Sequence, residues 1–121
     1  MKAAAQMVGL VLLGRDMAHR AHWKTLSYSE HVALQGFYEG VLALLDGFVE
    51  QYQGRYGQLL DVPLVDNEFE GEISDVLEQQ MAWIEDHREK ICPRSESSLH
   101  NVIDEIVGTY QTTLYKLRFL A

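Results

Sequence analysis

The chemistry-bearing side chains of this sequence gather in its first half, on a stretch with the period of a long helix. On a helical wheel advancing roughly 100° per residue, four candidate metal ligands fall within about 100° of one another: His31, Glu39, Asp46 and Glu50. No Lys or Arg occurs between Lys24 and Arg55, so no basic side chain lies among these acids along the chain. Imidazole and carboxylate together suit iron, manganese or zinc. The pattern predicts a divalent-metal site, and the alternative is a solvated polar face.

Beside the polar positions runs a line of small residues on the same helix: Gly36, Gly40, Ala43 and Gly47. Each glycine inside a helix costs about 0.5–1 kcal/mol relative to alanine. Three glycines on one side indicate that another backbone approaches closely, either from this chain or from a second copy. We therefore expect a homo-oligomer, at least a dimer packed through this line, with packing against the first helix as the alternative.

Four helical segments are expected to hold these residues in place, at about 2–23, 29–56, 68–91 and 96–120. Apolar residues recur in each segment at the spacing of one helix face. Ser27 with Glu30, and Asn67 with Glu70, have the spacing of N-terminal capping boxes, and Ser95 precedes the fourth segment. Four aromatic residues are expected to pack in the core, with an aromatic binding patch as the alternative: Trp23, Tyr28, Tyr38 and Trp83.

The links between segments predict how the helices are connected. The first and third links are only a few residues long, which favours antiparallel neighbours. The middle link, at about 57–66, is longer and contains glycine and proline, which favours a crossover. The fold class expected for residues 1–121 is all-α, a single antiparallel four-helix bundle with a crossover between its second and third helices.

Composition excludes several classes of function. The formal net charge is −8, which argues against nucleic acid and against an anionic membrane as partners. A single cysteine, Cys92, allows no disulfide within the chain and is typical of a reducing compartment. The apolar start is too short to span a bilayer and is interpreted as part of the first core helix. We expect a cytoplasmic protein.

Residues 22–50 resemble the core motif of the Dps family of mini-ferritins. In that family a His-Trp pair ends the first helix, and the second helix carries a His, then an Asp one turn later, then an Asp and a Glu one turn apart. His22 with Trp23, His31, Asp46 and Glu50 match these positions. Gln35 stands where the family has its first Asp ligand.

The resemblance implies a ferritin-like fold and an iron-binding, iron-oxidising site shared between two subunits. Its ligands would be His22, His31, Asp46 and Glu50, with Glu39 as a substitute for the carboxylate replaced by Gln35. Iron is the metal that the resemblance favours, and manganese and zinc are alternatives. The whole chain is also similar to small phage-encoded ferritin-like proteins without an established activity, which would place it in the cytoplasm of a host cell.

Two functions follow from the sequence. The first is a metal-binding, mini-ferritin-like protein, with ferroxidase activity left open. The second is a non-catalytic helical module, such as a phage accessory protein, that assembles or binds a partner and has a degenerate metal site. Ferritins with a di-iron site inside one bundle use Glu-x-x-His on two helices, and this sequence contains no such motif. An internal di-iron site is therefore not expected.

Overall fold

The computed structural model of the protein describes residues 1–121 and contains four helices and no strand. These are α1 (Lys2–Lys24), α2 (Tyr28–Tyr56), α3 (Ile73–Ile91) and α4 (Ser97–Phe119). The predicted all-helical class is confirmed, and the limits predicted for α1 and α2 lie within one residue of those observed. Ser27 caps α2 as expected, because its hydroxyl accepts a hydrogen bond from the Glu30 backbone N–H at 3.3 Å.

The predicted start of α3 at residue 68 is wrong by five residues. The Asn67 side chain instead makes a local turn, in which it accepts from the Phe69 N–H and donates to the Phe69 carbonyl. Gly71 follows with φ of 108°, a conformation that a helix cannot include. The helix starts only after Glu72, whose N–H donates to the Asp75 carboxylate at 3.1 Å. The predicted cap at Ser95 is also wrong, because Glu96 holds the N-cap position of α4.

Each helix packs side by side with two others. α1 packs on α2 and α3, and α4 packs on the same two helices, whereas the pairs α1/α4 and α2/α3 lie across the bundle. The link between α2 and α3 therefore crosses from one corner to the opposite one. It lies close against α1 at Gly9, where a Cβ would come within 2.8 Å of the Pro63 carbonyl oxygen. Only glycine allows that approach without displacing the link.

The core is a continuous apolar cluster to which all four helices contribute side chains. Its largest buried side chains include the following: Met7, Leu34, Phe37, Phe48, Leu77, Ile84, Leu99, Ile103, Ile106 and Tyr110. Trp23 and Tyr28 are exceptions to the expectation that the aromatic residues pack inside, since both are exposed. They flank the α1–α2 link, in which Leu26 is exposed as well.

One polar contact lies inside this core. The Tyr110 hydroxyl donates to the Gln80 side-chain oxygen at 2.9 Å, and both residues are fully buried. Burial raises the pKa of Tyr110 far above its ordinary value, so the hydroxyl stays protonated. A Cβ on Gly14 of α1 would overlap the same Gln80 oxygen. This contact therefore joins α1, α3 and α4 at one height of the bundle.

α2 is the one helix long and apolar enough to cross a membrane, judged by length and composition alone. Core helices of soluble proteins pass the same test. Seven residues of α2 are buried in the bundle: Ala33, Leu34, Phe37, Val41, Leu45, Phe48 and Tyr52. Packing in the bundle accounts for the apolar character of these seven positions.

Candidate metal-binding face on the second helix

The structure brings the two predicted histidine ligands into direct contact. His22 ends α1 and His31 lies in the first turns of α2, and their rings stack with centroids 3.6 Å apart. Each ring also bonds the other residue's backbone: Nδ1 of His22 lies 2.7 Å from the His31 carbonyl oxygen, and Nδ1 of His31 lies 2.8 Å from the His22 carbonyl oxygen. The reciprocal pair closes the short link between the two helices.

These hydrogen bonds fix the form of both rings when they are neutral. A carbonyl oxygen can only accept, so both Nδ1 atoms must donate their protons. The proton-free nitrogen of each neutral ring is then Nε2, which is the atom able to bind a metal. The Tyr38 hydroxyl lies 3.5 Å from Nε2 of His22. A carbonyl bond at Nδ1 is the usual way in which proteins orient a metal-binding histidine.

The stacked geometry does not allow the two histidines to hold one ion together within this chain. Their ring planes are only 18° from parallel, and the Nε2 lone pairs lie in those planes. An ion about 2.0–2.1 Å from both nitrogens would lie far outside both planes. One ring at a time can bind an ion in this arrangement, and two can do so only if the stack opens.

The predicted carboxylates lie on the outward side of α2. Glu39, Asp46 and Glu50 are all exposed, and none of them takes part in an ion pair. Glu39 accepts a hydrogen bond from the Gln35 amide at 3.1 Å. We call these three carboxylates the α2 acidic face. Gln35 therefore contacts the carboxylate that sequence reasoning offered as its replacement.

The histidine pair and the carboxylate pair are not brought together in one chain. Asp46 follows His31 by fifteen residues, which is about 22 Å along a helix rising 1.5 Å per residue. No group of three or more His, Cys, Asp or Glu side chains is close enough to hold a metal ion. A site that uses both pairs needs a second copy of the chain.

The line of small residues is open in the single chain. A Cβ added to Gly36 or Gly47 would meet nothing within 4 Å, and one added to Gly40 would touch only Thr109 of α4, at 3.6 Å. The line therefore does not pack against α1, the alternative considered from the sequence. It borders the α2 acidic face and leaves room for another helix beside it.

A second polar cluster, built around His100 and Asp104 one turn apart on α4, ties α3 to α4. Arg88 is buried, pairs with the Asp104 carboxylate and donates to the His100 carbonyl oxygen at 3.1 Å. His100 in turn donates from Nε2 to the Cys92 carbonyl oxygen at 3.0 Å. Burial raises the pKa of the Cys92 thiol, which keeps it protonated and unreactive. The cluster is a structural tie, and spacing within α4 could not have identified its partner Arg88 on α3.

These features define a small protein built from four helices, with an acidic helix face that lacks counter-charges. The chain belongs to DUF5856, a family of unknown function, whose family profile matches residues 22–117. It is also 25% identical, over 114 residues, to a protein of Enterobacteria phage T4 described as "Uncharacterized 14.6 kDa protein in mobD-ri intergenic region". That match covers 94% of this chain and 87% of the phage protein. No solved structure matches the chain significantly.

Proposed function

We propose that the protein binds a divalent metal ion through the α2 acidic face, at a site shared between copies in a ferritin-like homo-oligomer. The observation that carries the proposal is the uncompensated charge of that face. Asp46 and Glu50 are like charges one helical turn apart, a mildly unfavourable pair, and no basic side chain pairs with either. A bound cation would remove the repulsion.

Several contacts support the antiparallel, ferritin-like arrangement that this function assumes. The Phe37 ring packs edge-on against Tyr110, and Arg55 pairs with Glu96 at 2.7 Å, so early α2 meets late α4 and late α2 meets early α4. The His22 contact with the start of α2 joins α1 and α2 as a hairpin. Two hairpins joined by a crossover between diagonal helices are consistent with a ferritin-like bundle.

The ligands would come from two copies. His31 of one copy, with His22 beside it, would face Asp46 and Glu50 of another across the open glycine line. Oxygen and imidazole ligands suit iron(II), with manganese(II) and zinc(II) as alternatives. Gln35 supplies a neutral amide where a carboxylate would favour iron, so the proposal is for binding and extends to iron oxidation only if turnover is measured.

Thermal unfolding with and without metal tests this function. Iron(II) under anaerobic conditions, manganese(II) or zinc(II) at a hundred times its dissociation constant should stabilise the protein by about 2.7 kcal/mol. Asp46→Asn with Glu50→Gln should abolish the effect. The matched control is Asp61→Asn with Glu70→Gln, which removes two exposed acids of the link that form no ion pair.

Metal affinity should also fall as the pH drops, because the carboxylates and imidazoles must lose their protons to bind. If none of the three metals moves the melting temperature of the native protein, the metal site is wrong. Oxidation is a separate readout: consumption of oxygen on addition of iron(II) would extend the proposal from binding to ferroxidase activity.

The second candidate function is a helical assembly or partner-binding module without metal chemistry, acting in the cytoplasm of a phage-infected host cell. The stacked His22–His31 pair favours this candidate. The reciprocal hydrogen bonds that close the α1–α2 link explain both residues without a ligand. The phage-encoded relative is compatible with an accessory role. Self-association that is unaffected by metals and by chelators would favour this candidate.

A further inference from the structure

The outward side of α4 carries two charges that the chain leaves unpaired. α4 has four charged side chains, and two of them bind α3: Asp104 pairs with Arg88, and Arg118 pairs with Glu78 at 2.6 Å. The other two, Glu105 and Lys116, are exposed and form no ion pair. They carry opposite signs.

These two charges lie on one line along the helix. Eleven residues separate them, which is about 16 Å along the axis and only about 20° around it. Between them the surface is small: Gly108, Thr109 and Thr112. A Cβ on Gly108 would meet nothing within 4 Å, so this stretch is open. We call these five residues the α4 outer face.

The α4 outer face is complementary to a second copy of itself. Two identical helices packed antiparallel about a two-fold axis between Tyr110 and Gln111 place residues equally distant from that axis opposite each other. Glu105 then faces Lys116 of the second copy, and the reverse pair forms on the other side. Thr109 faces Thr112, so the centre contains only small side chains and the helices can approach closely.

We propose that the protein forms a two-fold symmetric homodimer through the α4 outer face, held by two Glu105–Lys116 pairs between the copies. A second copy is the occupant that the face fits, since its own charges supply the complement of both unpaired groups. This interface adjoins the open glycine line of α2, because Gly36, Gly40 and Leu44 line the same groove as the α4 outer face. It needs no metal and does not depend on the metal-binding function proposed above.

Charge reversal tests the dimer directly, with solution mass measured by analytical ultracentrifugation in the presence of a chelator. The native protein should dimerise. Glu105→Lys alone and Lys116→Glu alone should each weaken dimerisation roughly ten- to hundredfold, because both attractive pairs become repulsive. An equal mixture of the E105K and K116E proteins should form a heterodimer, since every facing pair then has opposite signs again.

Asp86→Lys is the matched control, because Asp86 is exposed, helical and unpaired but lies on α3. It should leave dimerisation unchanged. Circular dichroism of each variant checks that the helices are intact. The proposal is overturned by a native protein that is monomeric at all concentrations, by an E105K protein that dimerises as tightly as the native one, or by a mixture that gives no heterodimer. Loss of metal binding would leave it standing.

Discussion

The outward faces of α2 and α4 are neighbours, are both lined by small residues and carry exposed charges, yet they differ in how those charges are arranged. On α2, Glu39, Asp46 and Glu50 have one sign and no basic residue among them. On α4, Glu105 and Lys116 have opposite signs at the two ends of a small-residue stretch. Two α2 acidic faces repel each other because both are negative. Two α4 outer faces attract each other because opposite charges meet.

This difference shows that small residues specify close approach but do not choose the partner. Glycine and threonine allow a helix to come near on both faces, and the charges decide what can come near. On α4 the chain supplies its own complement. On α2 the complement must be a cation or a basic partner.

Filling the α2 glycines should give the largest effect on stability. Replacing Gly36, Gly40 and Gly47 together by alanine should raise the free energy of unfolding by about 1.5–3 kcal/mol, since each helical glycine costs about 0.5–1 kcal/mol and each added Cβ has room. Urea denaturation measures the change. The same variant should weaken any metal-dependent association, because the added methyl groups hold the copies apart.

The control for this variant is Gly57→Ala. Gly57 ends α2 with φ of 65°, where alanine is strained, so this substitution should lower stability. Should the triple alanine variant also be destabilised, the α2 face would already be covered in the free protein. The contrast with α4 would then be lost.

Salt should act on the two faces with opposite signs. Raising the ionic strength from about 0.05 to 1 M shortens the screening length to about 3 Å. Dimerisation through the α4 outer face should weaken, by up to about tenfold, because its attraction is screened. Repulsion within the α2 acidic face should be relieved, so metal-free protein should not lose stability from that source. Ultracentrifugation and melting curves recorded on the same samples report both; dimerisation that strengthens with salt would contradict the α4 assignment.

The smallest effect concerns the charge that α4 keeps inside the chain. The hydrogen bond from Arg118 lowers the pKa of the Glu78 carboxyl below its usual value near 4.5. A lowered pKa in the folded state adds stability above the unfolded value and loses it as the pH falls through the folded value. The stability difference between the native protein and Arg118→Met should therefore be present at pH 7 and shrink below about pH 4.

Melting curves from pH 7 to pH 3 measure that difference, with Lys90→Met as the control because Lys90 forms no ion pair. A difference that is independent of pH would mean that Arg118 is not held by Glu78. It would then be free to join Lys116 on the outward side, and the simple two-charge description of that face would need revision.

The sequence predicted most of the fold because helical period and the Ser27 cap are local signals. It placed the start of α3 too early because Asn67 and Glu70 have capping spacing. Their actual role is a turn that Gly71 ends with a positive φ. Asn residues favour turns and caps alike, and only the conformation at Gly71 separates the two outcomes.

The candidate site was predictable only along one helix. Wheel geometry placed Asp46 and Glu50 on one side of α2, one turn apart, but it expected packing faces on both sides of them, whereas both are exposed. It could not foresee that His22 and His31 would bond each other's carbonyl oxygens, since that depends on the path of a three-residue link. Nor could it identify Glu105 and Lys116 as unpaired, because their neighbours on α4 find partners on α3, a fact of tertiary packing.

The buried Gln80–Tyr110 contact sets the alignment of the helices along the bundle axis. A helix held only by apolar side chains could shift by one turn and still make apolar contacts. The Gln80 carboxamide restricts such a shift, because a shift would separate its oxygen from the Tyr110 hydroxyl and leave a buried acceptor without a partner. Gly14 enforces the same height on α1, since only a missing side chain leaves space for Gln80. α1, α3 and α4 are thus aligned at one height, and sliding any of them along the bundle would break this hydrogen bond or create a clash.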